Sequence, residues 1–226
     1  MVFLLILIEL IILYFLSRRL TQNLYIAVFL LTKSRAVAIS FLSILFFPGT
    51  VIHELAHLFT AEVLGVRTGG LTLVPEGIEQ KEVRTGSVSI SQSDPIRRAI
   101  IGIAPVFVGL GALGVIFYFL PQLTFPLILP LYYLLFAVSN TMFSSAEDLE
   151  GFWPIVVVVA LLAAAAYIAG IRINLAEPAL TNVTTFFQSV ALNLGYITGL
   201  NILLYTLVAF LIRAVEKLTK RTILRH

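Results

Sequence analysis

Long apolar runs, separated by short polar segments, dominate this sequence of 226 residues. The runs cover residues 2–16, 36–64, 99–120, 123–143, 155–171 and 186–212. Apolar runs of about 15 to 25 residues are typical of helices that cross a lipid bilayer. Only 12% of the residues are charged, against about 25% in an ordinary soluble domain. The chain therefore has too little polar surface for a water-soluble globule.

We expect an all-α polytopic membrane protein, with about six transmembrane helices in one compact bundle. The apolar stretch at residues 20–31 would form only about 18 Å of helix. It is either a tilted short span or a helix lying in the membrane interface, and the sequence favours neither.

A polar insert interrupts this pattern at residues 66–98, "VRTGGLTLVPEGIEQKEVRTGSVSISQSDPIRR". Short alternating stretches at residues 71–74 and 87–91 are separated by glycine and proline. This pattern predicts a small β-hairpin or sheet at the edge of the bilayer. Near the end of the insert, Asp94 precedes Pro95, an arrangement typical of a turn or a helix cap.

The basic residues indicate how the chain crosses the membrane. Net charge is +3, and ten of the fifteen Lys and Arg residues lie in the 66–98 insert or from Arg213 onward. Cytosolic segments of membrane proteins are enriched in these residues, so both segments are predicted to be cytosolic. Membrane topology thus explains the positive charge, and no nucleic-acid partner is expected. We predict a multi-pass protein of the cell membrane of a prokaryote, in contact with the lipid bilayer.

Residues 53–57, His-Glu-Leu-Ala-His, place three ionisable side chains inside the apolar run 36–64. Four residues advance about 400° around a helix, so His53 and His57 point the same way, one turn apart. This spacing suits two nitrogens that bind one Zn²⁺, with Glu54 placed to take a proton from the attacking water. The structural alternative is a pair of hydrogen-bonded core histidines. That alternative is disfavoured here because ionisable groups at bilayer depth are costly and tend to mark function.

A catalytic zinc site usually has three protein ligands, and the sequence offers few candidates for the third. The chain has no cysteine, and its one other histidine is the last residue, His226. Asp94 is expected to cap a helix. Asp148 follows an apolar run that would return to the cytosolic side, the level at which the two histidines are expected. We predict Asp148 as the third ligand, with Glu147 and Glu150 as competitors and a solvated loop acid as the structural alternative.

Three segments resemble the site-2 proteases, a family of intramembrane zinc metalloproteases. They are the helix "HELAHLFTAEVLGV", the glycine-rich span "GIAPVFVGLGALG" and the polar segment "NTMFSSAEDLEG", in which Asn140 precedes Asp148 by eight residues. The resemblance covers residues 41–154. It departs from the family pattern at Phe143, where the family often has proline, and at Leu149, where it often has glycine.

The resemblance implies a role for Asn140 and a division of the chain. Asn140 would hold the substrate or polarise the scissile carbonyl, and its structural alternative is a hydrogen bond between helices. Residues 36–154 would form the catalytic core, including the 66–98 insert. Residues 1–35 would add the N-terminal span and the short span or interfacial helix. Residues 155–226 would add the C-terminal spans and a basic tail.

Together these features predict a zinc endopeptidase that cuts peptide bonds in or near transmembrane segments of membrane-protein substrates. It would hold one Zn²⁺ per chain near the cytosolic side. An exposed strand in residues 66–91 would capture the unwound substrate by strand addition. Pro48-Gly49 and the glycine-rich span are expected to loosen the bundle and admit water, and Asn201 is expected to hydrogen-bond between helices. The rival interpretations are an inactive relative that acts as a membrane scaffold, and a metal-ion transporter.

Overall fold

The structure is a computed structural model that describes residues 2–72, 87–91, 93–143, 152–170 and 177–219. Within these residues the chain is mostly helical. The helices are α1 (Val2–Thr32), α2 (Arg35–Val63), α3 (Pro95–Phe119), α4 (Ile128–Thr141), α5 (Phe152–Ile168) and α6 (Ala179–Thr219). The strands are β1 (Thr68–Thr72) and β2 (Ser87–Ile90), and a 3-10 turn (Leu120–Gln122) extends α3.

Three of the described helices are long and apolar enough to cross a membrane: α2, α3 with its 3-10 turn, and α6. Helix α4 is apolar but shorter. Many large apolar side chains face outward, among them Ile44, Phe107 and Phe210, which suits contact with lipid. The prediction of a helical membrane protein is confirmed at this level, and the number of six spans stays a prediction.

Helix α1 joins two segments that the sequence pattern separated. Residues 2–16 and 20–31 lie in one uninterrupted helix of 31 residues, about 46 Å long. The polar junction contains Ser17 and Arg18 but no glycine or proline, so nothing in it stops the helix. The Ser17 hydroxyl donates to the carbonyl of Tyr14 at 3.0 Å, and the Arg18 guanidinium lies 5.2 Å from the centre of the Tyr14 ring. Residues 20–31 thus continue the first helix and are not a separate helix.

The described part of the polar insert forms a small sheet, as predicted, but its first strand begins at Thr68 and not at residue 71. Residues 73–74 of the predicted first strand lie outside the described residues. Strands β1 and β2 pair antiparallel, with Leu71 opposite Val88 and Thr72 opposite Ser87. The chain then enters α3 through Asp94, whose side chain accepts a hydrogen bond from the backbone N–H of Arg97 at 3.0 Å. The prediction that Asp94 caps a helix is confirmed.

The core lies where α1, α3, α4 and α6 meet. Helix α1 packs along α6, and α2 packs against both α3 and α4. The buried apolar side chains of this core cluster are Leu13, Leu113, Leu135, Val138, Met142, Phe143, Leu194 and Ile197. The C-terminal half of α4 is thereby enclosed by its neighbours and is almost completely buried.

Helix α2 continues through Pro48, and a hydroxyl of α4 lies beside the carbonyls of the preceding turn. A proline has no N–H, so Pro48 cannot donate to the carbonyl of Ile44, its partner four residues earlier. The Tyr133 hydroxyl of α4 lies 3.3 Å from that carbonyl and 3.0 Å from the carbonyl of Leu45. The single hydroxyl hydrogen is within reach of both carbonyls, so it partly replaces the donor that the proline removes, and it ties α4 to α2.

Candidate metal centre

The two histidines of α2 converge on one point inside the bundle. The Nε2 atoms of His53 and His57 are 3.1 Å apart, and their rings are nearly perpendicular. Two nitrogens bound to one tetrahedral Zn²⁺ at about 2.0–2.1 Å would be about 3.3 Å apart. The separation is close to that of two ligands of one zinc ion, and it is also that of a hydrogen bond between the two rings, the structural alternative. The three side chains of the motif are buried, with 4%, 5% and 6% of His53, Glu54 and His57 exposed.

A backbone carbonyl of α3 determines which ring nitrogen of His57 carries hydrogen. Nδ1 of His57 lies 2.9 Å from the carbonyl oxygen of Ile101. A carbonyl oxygen only accepts, so Nδ1 must be the donor. In the neutral ring, Nε2 then has a lone pair that faces Nε2 of His53. Metal-binding histidines usually donate their second ring N–H in this way, because the bond fixes both tautomer and ring orientation.

The end of α2 holds Ile101 in place. Gly65 adopts a positive φ of 68°, and its N–H donates to the carbonyl of Glu62. The N–H of Val66 donates to the carbonyl of Ala61 at 2.8 Å. These two bonds form a Schellman motif, in which glycine is favoured because it tolerates positive φ. Ala61 and Val66 then pack with Ile101 in a buried apolar cluster, so the turn that ends α2 also docks α3 beside His57.

The predicted third ligand, Asp148, lies outside the described residues, as do its competitors Glu147 and Glu150. Among the residues that the structure does describe, no group of three His, Cys, Asp or Glu side chains could hold a metal ion. The last described residue before Glu147 is Phe143, which belongs to the buried core cluster. Ile52, the residue before His53, packs on the core cluster that contains Phe143. Asp148 comes five residues after Phe143, a reach of up to about 18 Å.

Asn140 makes the hydrogen bond between helices that was its structural alternative. Its Nδ2 donates to Oδ1 of Asn201 on α6 at 2.7 Å and to the carbonyl of Phe136 at 2.8 Å. Asn201 in turn donates from Nδ2 to the carbonyl of Ile197 and to the Ser139 hydroxyl, both at 3.2 Å. The expected interhelical role of Asn201 is therefore confirmed.

These bonds determine what the Asn140 amide can still offer. The Nδ2 atoms of Asn140 and Asn201 each donate to a helix carbonyl, and this fixes the orientation of both side-chain amides. Both Nδ2 hydrogens of Asn140 are engaged within the protein. Its Oδ1 is buried, and no donor among the described residues reaches it. In this arrangement the amide has an acceptor to offer a substrate, whereas polarising a carbonyl would require a donor.

Gly49, which was expected to loosen the bundle, instead lets α2 and α4 approach closely. It lies one turn before His53 on α2. A Cβ atom at this position would lie 2.5 Å from the carbonyl oxygen of Ala137 and would also clash with the Thr141 hydroxyl. Real contacts of this kind are essentially never under 3.0 Å. Glycine is therefore required here by packing, as in many close helix contacts within membranes.

Three contributors to the centre were not identified as such from the sequence. Gly49 was interpreted as a source of flexibility, and nothing in the sequence links Tyr133 to residues 44 and 45. The third, the carbonyl of Ile101, belongs to the backbone and has no residue-type signature. A proline four residues further on, Pro105, was the available signal, because it leaves that carbonyl without its helical donor.

No family model, curated protein or solved structure matches this chain. The resemblance to the site-2 proteases thus rests on the three motifs and their spacing.

Proposed function

We propose that this protein is an intramembrane zinc endopeptidase that hydrolyses peptide bonds in or near transmembrane segments of other membrane proteins. The observation that carries the proposal is the geometry of the buried pair. The Nε2 atoms of His53 and His57 lie 3.1 Å apart. Because Nδ1 of His57 carries the hydrogen that is donated to the Ile101 carbonyl, Nε2 of the neutral His57 ring keeps its lone pair. Burying two histidines and a glutamate in an apolar bundle is costly, and ionisable residues in membrane helices tend to mark functional sites.

His53 and His57 would hold one Zn²⁺ together with a carboxylate, for which Asp148 is the proposed ligand. A zinc ion bound there would polarise the scissile carbonyl and activate a water molecule. Glu54 lies about 100° around the helix from His53. It would take a proton as the water oxygen bonds to the carbonyl carbon. It would then give that proton to the amine nitrogen as the carbon–nitrogen bond breaks.

The membrane arrangement belongs to the same proposal. We place about six spans across the cell membrane of a prokaryote, with the centre near the cytosolic side. The charged insert and the basic C-terminal tail would lie in the cytosol, where Lys and Arg are enriched. Because β1 begins only five residues after the end of α2, the sheet lies next to the helix that carries the histidines.

The sheet offers an edge on which an extended substrate could bind. Strands β1 and β2 form a sheet of two strands, so each has one edge that the other does not cover. Both strands contact α2. A substrate helix must unwind before attack, since its carbonyls are hydrogen-bonded internally, and an unwound segment can pair with a free strand edge. Strand addition beside α2 would therefore direct the scissile bond toward Glu54.

Cleavage of a labelled transmembrane substrate by the purified protein in detergent, with and without a chelator, tests the proposal. Glu54→Gln should keep its zinc, measured by elemental analysis, and lose about 10²- to 10⁴-fold in kcat. Glu62→Gln is the matched control, because Glu62 is an exposed carboxylate two turns further along the same helix. It should cleave at the wild-type rate.

The outcomes separate the proposal from its rivals. Cleavage that survives the chelator, or near wild-type cleavage by Glu54→Gln, contradicts the mechanism. Stoichiometric zinc with no cleavage of any substrate favours a scaffold. Zinc that moves across proteoliposome membranes favours a transporter.

A further inference from the structure

Helix α3 contains a proline at a position where it affects the metal centre. Pro105 lies inside the helix and is fully buried. In an uninterrupted α-helix the N–H of residue 105 would donate to the carbonyl of Ile101, four residues earlier. Proline has no N–H, so this carbonyl lacks its usual helical donor. The same carbonyl accepts the Nδ1–H of His57 at 2.9 Å.

We propose that Pro105 is a positioning residue for the metal centre. By removing the helical donor, it reserves the Ile101 carbonyl for His57. The imidazole is thereby held as the tautomer with hydrogen on Nδ1 and with the Nε2 lone pair directed at His53. The part of this inference that concerns zinc affinity rests on the proposed function, whereas the tautomer does not.

A second proline in the bundle also leaves a helix carbonyl that a side chain of another helix approaches. Pro48 leaves the carbonyl of Ile44 without its donor, and the Tyr133 hydroxyl approaches that carbonyl. In both cases a side-chain donor from another helix lies within hydrogen-bond distance of the carbonyl four residues before a proline, although the Tyr133 hydroxyl is closer to the carbonyl of Leu45. Only at Pro105 is the donor one of the paired histidines. Pro48→Ala is therefore a matched control, since it restores an N–H to a helix without touching the acceptor of His57.

The first test uses the protein without metal. Labelling histidine with ¹⁵N gives few signals, because the chain has only three histidines, and the protonated and bare ring nitrogens of a neutral imidazole are well separated in shift. Wild-type His57 should carry hydrogen on Nδ1, and that proton should exchange slowly with solvent. In Pro105→Ala the new N–H competes for the carbonyl, so a mixture of tautomers and faster exchange are expected. Pro48→Ala should resemble the wild type.

The second test is zinc affinity, measured by competition with a coloured chelator. Changes to the partners of metal-binding histidines lower affinity about 10- to 100-fold. Pro105→Ala keeps the carbonyl but adds a competing donor, so we expect a loss near the lower figure, about 10-fold. Pro48→Ala should change the affinity less than about 2-fold if the effect is local.

Each result has one reading. A wild-type His57 without hydrogen on Nδ1 overturns the inference, even if Pro105→Ala fails to fold. So does a Pro105→Ala protein with wild-type tautomer and affinity, or an equal loss in Pro48→Ala, which would mean that both prolines only bend helices. If the tautomer is as expected but the wild type binds no zinc and cleaves nothing, the proposed function fails and the hydrogen-bond assignment stands.

Discussion

Replacing Gly49 with alanine should destabilise the bundle, because α2 and α4 meet at this residue. The new Cβ would lie 2.5 Å from the carbonyl oxygen of Ala137. Contacts below 3.0 Å are essentially never observed for a real Cβ, so the helices must separate by at least about 0.5 Å, the difference between the two distances. The obstacle is a backbone carbonyl, which cannot rotate away as a flexible side chain can.

The size of the effect follows from two opposing terms. Adding a methyl group to a packed interior costs about 1–3 kcal/mol of stability. Because the carbonyl of Ala137 is rigid, we expect a cost at the upper end, about 3 kcal/mol. Alanine is a better helix former than glycine by about 1 kcal/mol, which offsets part of the loss. We therefore expect a net loss of about 2 kcal/mol in the free energy of unfolding.

The assay is equilibrium unfolding in mixed micelles, followed by circular dichroism. Gly114→Ala is the control, since a Cβ at that position in α3 would meet nothing within 4 Å. It should leave stability unchanged or raise it by up to about 1 kcal/mol. Wild-type stability in Gly49→Ala, or an equal loss in both variants, would refute the packing argument. Zinc affinity should also fall in Gly49→Ala, because His53 lies on the next turn.

Three further substitutions test other contacts. Gly65→Ala should cost about 1–2 kcal/mol through its positive φ alone, since a Cβ there meets nothing within 4 Å; Gly65→Asn should cost less in the same unfolding assay. Tyr133→Phe should lower the free energy of unfolding by about 0.5–1.5 kcal/mol, because a carbonyl of α2 loses its donor, whereas the neighbouring Tyr132→Phe should be close to neutral. Asn201→Ala should lower the free energy of unfolding by about 1 kcal/mol. It should also reduce cleavage by releasing the Asn140 amide, measured as a change in KM against kcat. Unchanged kinetics would mean that the bond between Asn140 and Asn201 is only structural.

Much of the architecture could be predicted because it depends on local patterns. The apolar runs indicated membrane helices, the alternating stretches of the insert indicated paired strands, and Asp94 before Pro95 indicated a helix start. The prediction of a helix boundary after residue 16 was wrong, because polar residues interrupt the apolar pattern there but no glycine or proline ends the helix. Arg18 and Arg19 lie between the two apolar segments 2–16 and 20–31, but arginine is a good helix former and α1 continues through both.

The candidate site also has a part that the sequence predicts and a part that depends on the tertiary structure. The convergence of His53 and His57 follows from the period of a helix, so the sequence alone determined it. The partner of His57 is a carbonyl 44 residues away, and the partner of Asn140 is a side chain 61 residues away. Such pairs depend on how α3, α4 and α6 pack against one another. No local periodicity encodes that packing, so only the tertiary structure decided which tautomer His57 holds and which atoms of Asn140 are left for a substrate.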